Sequence, residues 1–295
     1  MHGNSRLPIT VIVAVKNEQA NIKKCLASLS RVERVIVVDS NSTDATVQIA
    51  EEMGAEVHQF VWNGGHPKKR QWALDNILIS STWVLLLDAD EVVPDALWEE
   101  ISLAIGSEGP ASGFLIRKGF HFLGKRFRYG GFSHSAVLLF QNGKARFEQL
   151  FEDNVSGLDM EVHERLIIRG RIESLRTAII HEDFKGLEAY IHRHNKYSSW
   201  EAALRRNYLL RGQYGDETIQ PSLIGNSQER RRALKAIIIR LPFEPQLWFL
   251  YHFIFRLGFL EGRRGLIACQ IRGSYISQVR AKNYESKLHK ALDHL

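Results

Sequence analysis

Trp83-Val84-Leu85-Leu86-Leu87-Asp88-Ala89-Asp90-Glu91 decides how this chain reads. Five apolar residues in succession leave no side for solvent. That is the pattern of a strand buried on both faces, as found where helices cover a parallel sheet. The acids fall where such a strand leaves the sheet. Asp88 and Asp90, two positions apart as the chain turns, can face the same side of the sheet edge. Hard oxygen ligands suit Mg2+ or Mn2+, which keeps positions free for diphosphate oxygens. Taken alone, the same acids would serve equally well as a cap for the following helix.

The neighbouring sequence repeats the theme. Residues 10–15 and 34–38 are continuous β-branched runs, and 55–61 reads as a third strand. Helical spacing follows at Ile22, Leu26 and Leu29, then from the polar cluster 39–44 to about Met53, where Gly54 stops it. Residues 68–76 and a stretch from Pro94 to about Ile105 supply two more helices. Strand–helix alternation of this kind predicts an α/β fold with a parallel sheet. Ligands in such sheets sit beyond the carboxyl ends of the strands. Asn17, Glu18, Asp39 and the acids at 88–91 all lie at such ends. Beyond Gly113 the segments lengthen. Gln141-Asn142-Gly143-Lys144 predicts a hairpin between 137–140 and 145–147. Residues 166–168 and 178–180 read as strands, and 186–210 as a helix. A polar connection over 212–228 then leads to a basic helix, a break at Pro242 and Pro245, and aromatic-rich helices.

Composition bounds the possibilities. The chain has 295 residues, 44% hydrophobic and 24% charged, as in ordinary globular proteins. Cys25 and Cys269 are far apart and in apolar surroundings, so neither a zinc site nor a disulfide framework is expected, only buried thiols in a reducing compartment. Seven residues precede the first strand pattern, too few for a signal-peptide core. No apolar run approaches the length that spans a bilayer. The net charge of +6 is uneven: from Ser227 onward there are 13 Lys and Arg against 5 Asp and Glu, a balance of +8 that leaves −2 for the rest. Such an excess attracts anionic surfaces.

Three segments in order, Ile12-Val13-Ala14-Val15-Lys16-Asn17-Glu18, Val37-Val38-Asp39-Ser40-Asn41-Ser42-Thr43-Asp44 and Leu87-Asp88-Ala89-Asp90, resemble a family 2 glycosyltransferase of the GT-A fold. The resemblance implies a Rossmann-like nucleotide-diphospho-sugar transferase domain over 1–211, with its nucleotide half at 1–105 and its acceptor half at 106–211, followed by a helical extension over 212–295. It implies that Ala14, Asn17 and Glu18 line the nucleotide pocket and that Asp39 meets a uracil edge. Asp88-Ala89-Asp90 would hold the metal, Mn2+ or Mg2+, and the diphosphate, with Asp90 as ligand and Asp88 in support. Residues 66–76 resemble a subgroup that contains bacterial lipopolysaccharide-core glucosyltransferases and exopolysaccharide enzymes. There Lys69 or Arg70 is expected at the diphosphate, against a plain reading of three adjacent cations as a solvated helix face. Gly131, in Gly130-Gly131, matches a glycine loop near the sugar. Leu138 stands where the subgroup often has Arg. Val162-His163-Glu164-Arg165-Leu166 resembles the segment bearing the base. An inverting transfer needs a carboxylate to take the acceptor hydroxyl proton, and Glu164 is the candidate, with Asp159 and Glu161 behind it. His181 matches a histidine near the metal or diphosphate.

Residues 241–260 are rich in aromatic side chains and flanked by arginines. They resemble an interfacial helix on an anionic leaflet, or a hairpin packed on the domain or on a twin subunit in a homo-oligomer. The resemblance therefore implies a cytoplasmic enzyme, peripheral at the inner face of the membrane. It would take a nucleotide diphosphate sugar (a UDP-sugar), transfer a hexose to a glycan or glycolipid acceptor, and have no nucleic-acid partner. Nucleotidyl transfer is the rival, but it wants a Gly-rich loop where Lys16-Asn17-Glu18 stands. No GxGxxG follows the first strand, which disfavours a dinucleotide oxidoreductase. A non-enzymatic lipid- or nucleic-acid-binding module would leave the acidic strand ends unexplained.

Overall fold

The computed structural model describes residues 6–150, 159–161, 164–181, 186–225 and 227–292. Val162 and His163 of the expected base segment lie outside the described residues.

Strands β1 (Leu7–Val15), β2 (Val32–Asp39), β3 (Glu56–Gln59) and β4 (Trp83–Asp88) alternate with helices α1 (Ile22–Ala27), α2 (Thr46–Glu52) and α3 (Lys69–Asn76). The four strands are parallel, with β1 between β2 and β4. Successive side chains of a strand point to opposite faces, and here both faces are covered. Val11, Val13, Val37, Leu85 and Leu87 pack into one core, and Ile12, Ile36, Val38, Val84 and Leu86 into another. Each such side chain contributes roughly 1.5–3 kcal/mol on burial. Double-sided burial is why these strands read as unbroken apolar runs. Two elements are shorter than their sequence patterns. A turn with the Asn21 N–H on the Glu18 carbonyl delays α1. At the other, Phe60 leaves β3 although its N–H still reaches the Asp39 carbonyl at 2.7 Å.

The chain continues through β5 (Glu91–Val92), α4 (Asp95–Ile105), β6 (Gly113–Phe122), β7 (Lys125–Arg126), β8 (His134–Gln141), β9 (Ala145–Phe147), β10 (Gln149–Leu150), β11 (Leu166–Ile168) and β12 (Ile172–His181). The sheet order is β3-β2-β1-β4-β8-β6-β12-β5. β8 runs antiparallel to β4 and β6, while β12 is parallel to β6, so the sheet is mixed. This is the GT-A arrangement. The turn at Gln141–Lys144 forms as expected, with Gly143 at φ +76° and the Lys144 N–H on the Gln141 carbonyl. The hairpin does not. β9 leaves the main sheet and pairs with β11 instead, since turn chemistry is local and strand partnership is not.

Contacts divide the chain into two compact units. The first comprises Met1–His121, Ser133–Phe147 and Leu158–Phe184, and it contains the sheet. The second comprises Phe122–Phe132, Glu148–Gly157 and Lys185–Leu295. It holds α5 (Gly186–Arg211), β13 (Gly215–Glu217), α6 (Ser227–Ile238), α7 (Glu244–Leu250) and α8 (Arg263–Leu292), with a π-turn at Tyr251–Phe255 and a 3-10 turn at Gly258–Glu261. Contacts thus group α5 with the C-terminal helices, whereas the sequence reading placed it before the break. A buried charge network fastens this unit. Arg205 holds Glu201 and Glu244, and the Tyr275 hydroxyl donates to Glu201 at 2.7 Å. Among the described residues no helix is long and apolar enough to cross a membrane.

Candidate active site

The site grows from the carboxyl ends of β1, β2 and β4. After β1 the chain moves to β2 and β3 on one side, then returns to place β4 on the other. The β1–β4 boundary is therefore the point where strand order reverses, the place where ligands of such sheets sit. Register puts Ala14 beside both Val38 and Asp88, and Val15 beside Asp39. The polar strand ends consequently lie at one level.

On the β1–β2 side the two loops are bound to each other. Asn17, at φ +55°, accepts the Thr43 N–H at 2.8 Å, and its own N–H reaches the Ser42 hydroxyl oxygen. The Glu18 N–H donates to the Thr46 hydroxyl oxygen at 2.7 Å. Asp39 is fully buried and accepts both the Ser42 N–H and the Ser42 hydroxyl. In this structure its carboxylate shapes the turn between the loops. Lys16 and Asn17 are exposed on this rim.

On the β4 side, Ala89 is buried in the core while Asp88 and Asp90 remain partly open. The alternation thus puts both carboxylates on the outer side. They have different company. Asp88 is held by the Arg70 guanidinium and by the Lys118 ammonium at 2.9 Å. Burial would raise its pKa, but these two cations outweigh it and hold the carboxyl far below the usual range. Lys118 also reaches Glu91 at 2.6 Å, and the Asp88 N–H donates to Glu91 at 2.9 Å. Burial lifts the Glu91 carboxyl, against the pull of Lys118. β5 returns antiparallel to β12 and sets Glu91 opposite His181. That register brings His181 Nε2 within 3.0 Å of Asp90 Oδ2. Burial pulls the imidazole down, yet the Asp90 bond and the Glu91 charge prevail and push its pKa up to about 9. The bond to Asp90 thus favours the protonated imidazole. Asp88, Asp90 and Glu91 together face Arg70, Lys118 and His181.

The three neighbouring cations at 68–70 are not a solvated face. Lys68 and Lys69 are buried, and Asp159, Glu161 and Glu164 reach the start of α3 there. Glu164 pairs with Lys68 at 2.6 Å. Glu161 accepts the N–H groups of Arg70 and Gln71 and so caps the α3 N-terminus, which offers unpaired donors and a partial positive charge. Asp159 lies 3.4 Å from Lys69, whose ammonium also donates to the Val15 carbonyl at 2.7 Å. The Glu164 side chain, expected as the base, has no exposed surface in this structure and pairs with Lys68. Lys69 likewise points inward, at the β1 end. Arg70 remains at the site, on Asp88.

Gly131 belongs to the second unit, at φ +66°, where a Cβ would come within 2.7 Å of Arg256 Nε. Sequence reading missed Lys118. It lies on the same face of β6 as the buried Phe114 and Ile116 while Arg117 is exposed, and a lysine on the inner face of a strand is the signal that would have found it. Among the described residues no three His, Cys, Asp or Glu side chains converge as a cation cage. Asp90 and His181 offer one oxygen and one nitrogen donor.

Fold and site define a GT-A-type glycosyltransferase. The family described as "Glycosyl transferase family 2" matches residues 10–172, more than half of the chain, and the chain belongs to that family. It is 25% identical to the lipopolysaccharide core biosynthesis glycosyltransferase LpsC of Rhizobium meliloti, over 98% of this chain and 99% of that one. An uncharacterized glycosyltransferase of Rickettsia felis is 39% identical over 34% of each chain. Among solved structures, the mannosyltransferase PcManGT of Pyrobaculum calidifontis, in complex with GDP-Man and Mn2+, is 14% identical, over 96% of this chain and 88% of that one, at a TM-score of 0.48.

Proposed function

We propose that this glycosyltransferase is metal-dependent and inverting, and that it moves a hexose from a nucleotide diphosphate sugar, a UDP-sugar, to a membrane-anchored glycan acceptor. The observation that carries the reading is the charge balance at the β4 end. Arg70 and Lys118 are already committed to Asp88 and Glu91, so a diphosphate entering here needs positive charge from elsewhere. The Asp90–His181 pair fits that need. Asp90 and His181, 3.0 Å apart, would hold Mn2+ or Mg2+ there. When bound, the ion would neutralise charge on the departing nucleotide diphosphate.

The chain's own groups supply the rest. Asn17 and the Ser42–Thr43 turn frame the nucleotide rim, with Asp39 supporting it from below. Arg70 and Lys118 fix Asp88 so that Asp90 is left for the ion. Similarity to LpsC along the full length supports lipopolysaccharide core as the acceptor class.

Thermal melts with Mn2+ and a panel of UDP- and GDP-sugars test the reading. A ligand of the native state at a hundred times its Kd should stabilise by about 2.7 kcal/mol. A UDP-sugar should raise the melting temperature only when the divalent ion is present. Absence of any shift across the panel would sink the proposal.

A further inference from the structure

We infer that the second unit carries a docking face for an anionic lipid bilayer, and that the same segment holds the Gly130–Gly131 loop. The segment is α7 with its π-turn and the 3-10 turn that follows. Leu247, Leu250, Tyr251, Ile254 and Phe255 are all exposed, Phe255 by 76%. Their spacing of three and four puts them on one helical stripe. The opposite side faces the protein, where Glu244 and His252 are buried. Beyond the stripe the exposed apolar surface continues through Leu257, Phe259 and Leu260. Contiguous apolar surface of this extent marks an interaction site.

Two bulky residues bracket the helical part in left-handed conformations, Phe243 at φ +57° and Leu257 at φ +58°. Side chains with a Cβ avoid that region. Here the strained residues carry apolar side chains outward, Phe243 with 71% of its surface exposed. Packing inside the unit does not account for that.

Charge selects the occupant. Residues 241–264 contain two acids, and both are buried and paired: Glu244 with Arg205, Glu261 with Lys125. The exposed charges of the segment are Arg256, Arg263 and Arg264, with Arg240 just before it. An apolar stripe whose solvent-facing charges are all positive matches an anionic headgroup layer above an acyl boundary. Among the described residues no helix is long and apolar enough to cross a membrane, and the docking inferred here is at the interface.

The inner side of the segment grips the glycine loop. Glu261 accepts the N–H groups of Arg128 and Tyr129 at 2.6 and 2.8 Å. The Arg256 carbonyl accepts the Gly130 N–H at 2.7 Å, and His252 Nδ1 donates to the Gly130 carbonyl at 2.6 Å. Phe132 stacks on His252 at 4.9 Å between ring centres. Residues that grip the loop alternate with residues that face outward, so immobilising one set on a surface immobilises the other.

The test uses the full chain with no sugar nucleotide, so it stands or falls apart from the donor reading. Flotation with phosphatidylcholine vesicles containing phosphatidylglycerol should carry the protein up, and pure phosphatidylcholine should not. Replacing two surface cations, R263Q/R264Q, should weaken binding about 30-fold at low salt. I254S/F255S should abolish flotation while leaving the melting temperature unchanged, since both side chains are already in solvent. Anionic vesicles should also slow hydrogen exchange at the amides of Arg128, Tyr129 and Gly130 several-fold. Failure of the native chain to float would overturn the docking face, as would undiminished flotation of I254S/F255S. Self-association through this face, seen as a dimer that I254S/F255S dissolves without any vesicle binding, would replace the bilayer with a second copy. Flotation without any slowing at 128–130 would overturn the grip on the loop.

Discussion

Substituting Glu164 by glutamine separates two readings of the segment that docks on α3. The Glu164 carboxylate has no exposed surface, and Lys68, 1% exposed in its side chain, lies 2.6 Å away. Glutamine keeps the shape and removes the charge that faces the buried Lys68 ammonium. Breaking a buried pair from one side costs about 3–5 kcal/mol. At roughly 2–4 °C per kcal/mol for a large domain, the melting temperature should fall by about 6–20 °C. The apolar double variant K68M/E164M should recover most of that loss, because replacing both partners by hydrophobic side chains is often neutral. Melting by calorimetry and nucleotide release by a coupled assay, run well below the lowered transition, supply the two readouts. With Glu164 as a positioning residue, E164Q should retain its rate per folded molecule within about tenfold. A catalytic base removed would cost roughly 10²- to 10⁴-fold in kcat. E164Q that melts like the parent yet loses a hundredfold or more in kcat at unchanged KM would refute the positioning role and restore Glu164 as base.

Other consequences are simpler to check. D90N and H181A should each remove the Mn2+-dependent part of the donor-induced thermal shift, and chelation should do the same to the native chain. K118M leaves Asp88 and Glu91 without their shared cation and should destabilise the fold by several kcal/mol. It should also change the acid limb of stability. Asp88, with its folded pKa held below the unfolded value, stabilises above about pH 4 and loses that contribution as pH falls further; in K118M, stability should fall less steeply over that range. Cys25 and Cys269 are fully buried, and burial pushes the Cys269 thiol up to about 11 and Cys25 further still. Neither should react with a thiol reagent at pH 8 until the chain is unfolded in denaturant.

The sequence disclosed the parts of the fold that local chemistry controls. Residues 83–87 and 10–15 read as buried strands because both faces of the sheet are covered, and Gly54 ends α2 at φ +80° as its lack of a Cβ permits. What stayed hidden depends on distant partners. The turn at Gly143 was legible, but β9 pairs with β11, some twenty positions on, and nothing near the turn encodes that. Lys68-Lys69-Arg70 looked like a solvated or ligand-facing cluster because the acids that bury it arrive from around position 160. Glu164 and Lys68 are 96 positions apart. Lys118 was legible by strand alternation, and its pairing with Asp88 was not.

The proposed division of labour within Asp88-Ala89-Asp90 rests on the same register. Strand alternation sends Ala89 into the core and both aspartates outward, so sequence alone makes them equivalent. β4 ends at Asp88, whose position is fixed against Ala14 and whose carboxylate faces the α3 and β6 cations. Asp90 lies past the turn, where β5 folds back on β12 and presents His181. Under the proposed function, a carboxylate already holding two cations gives up charge poorly to a third, which leaves Asp90 as the ligand for the ion. D88N should therefore retain metal binding, measured by Mn2+ titration in the absence of donor, while D90N should lose it. Equal loss in both variants would mean that Asp88 leaves Arg70 and Lys118 to join the ion, and the buried charge cluster would then have to reorganise whenever donor binds.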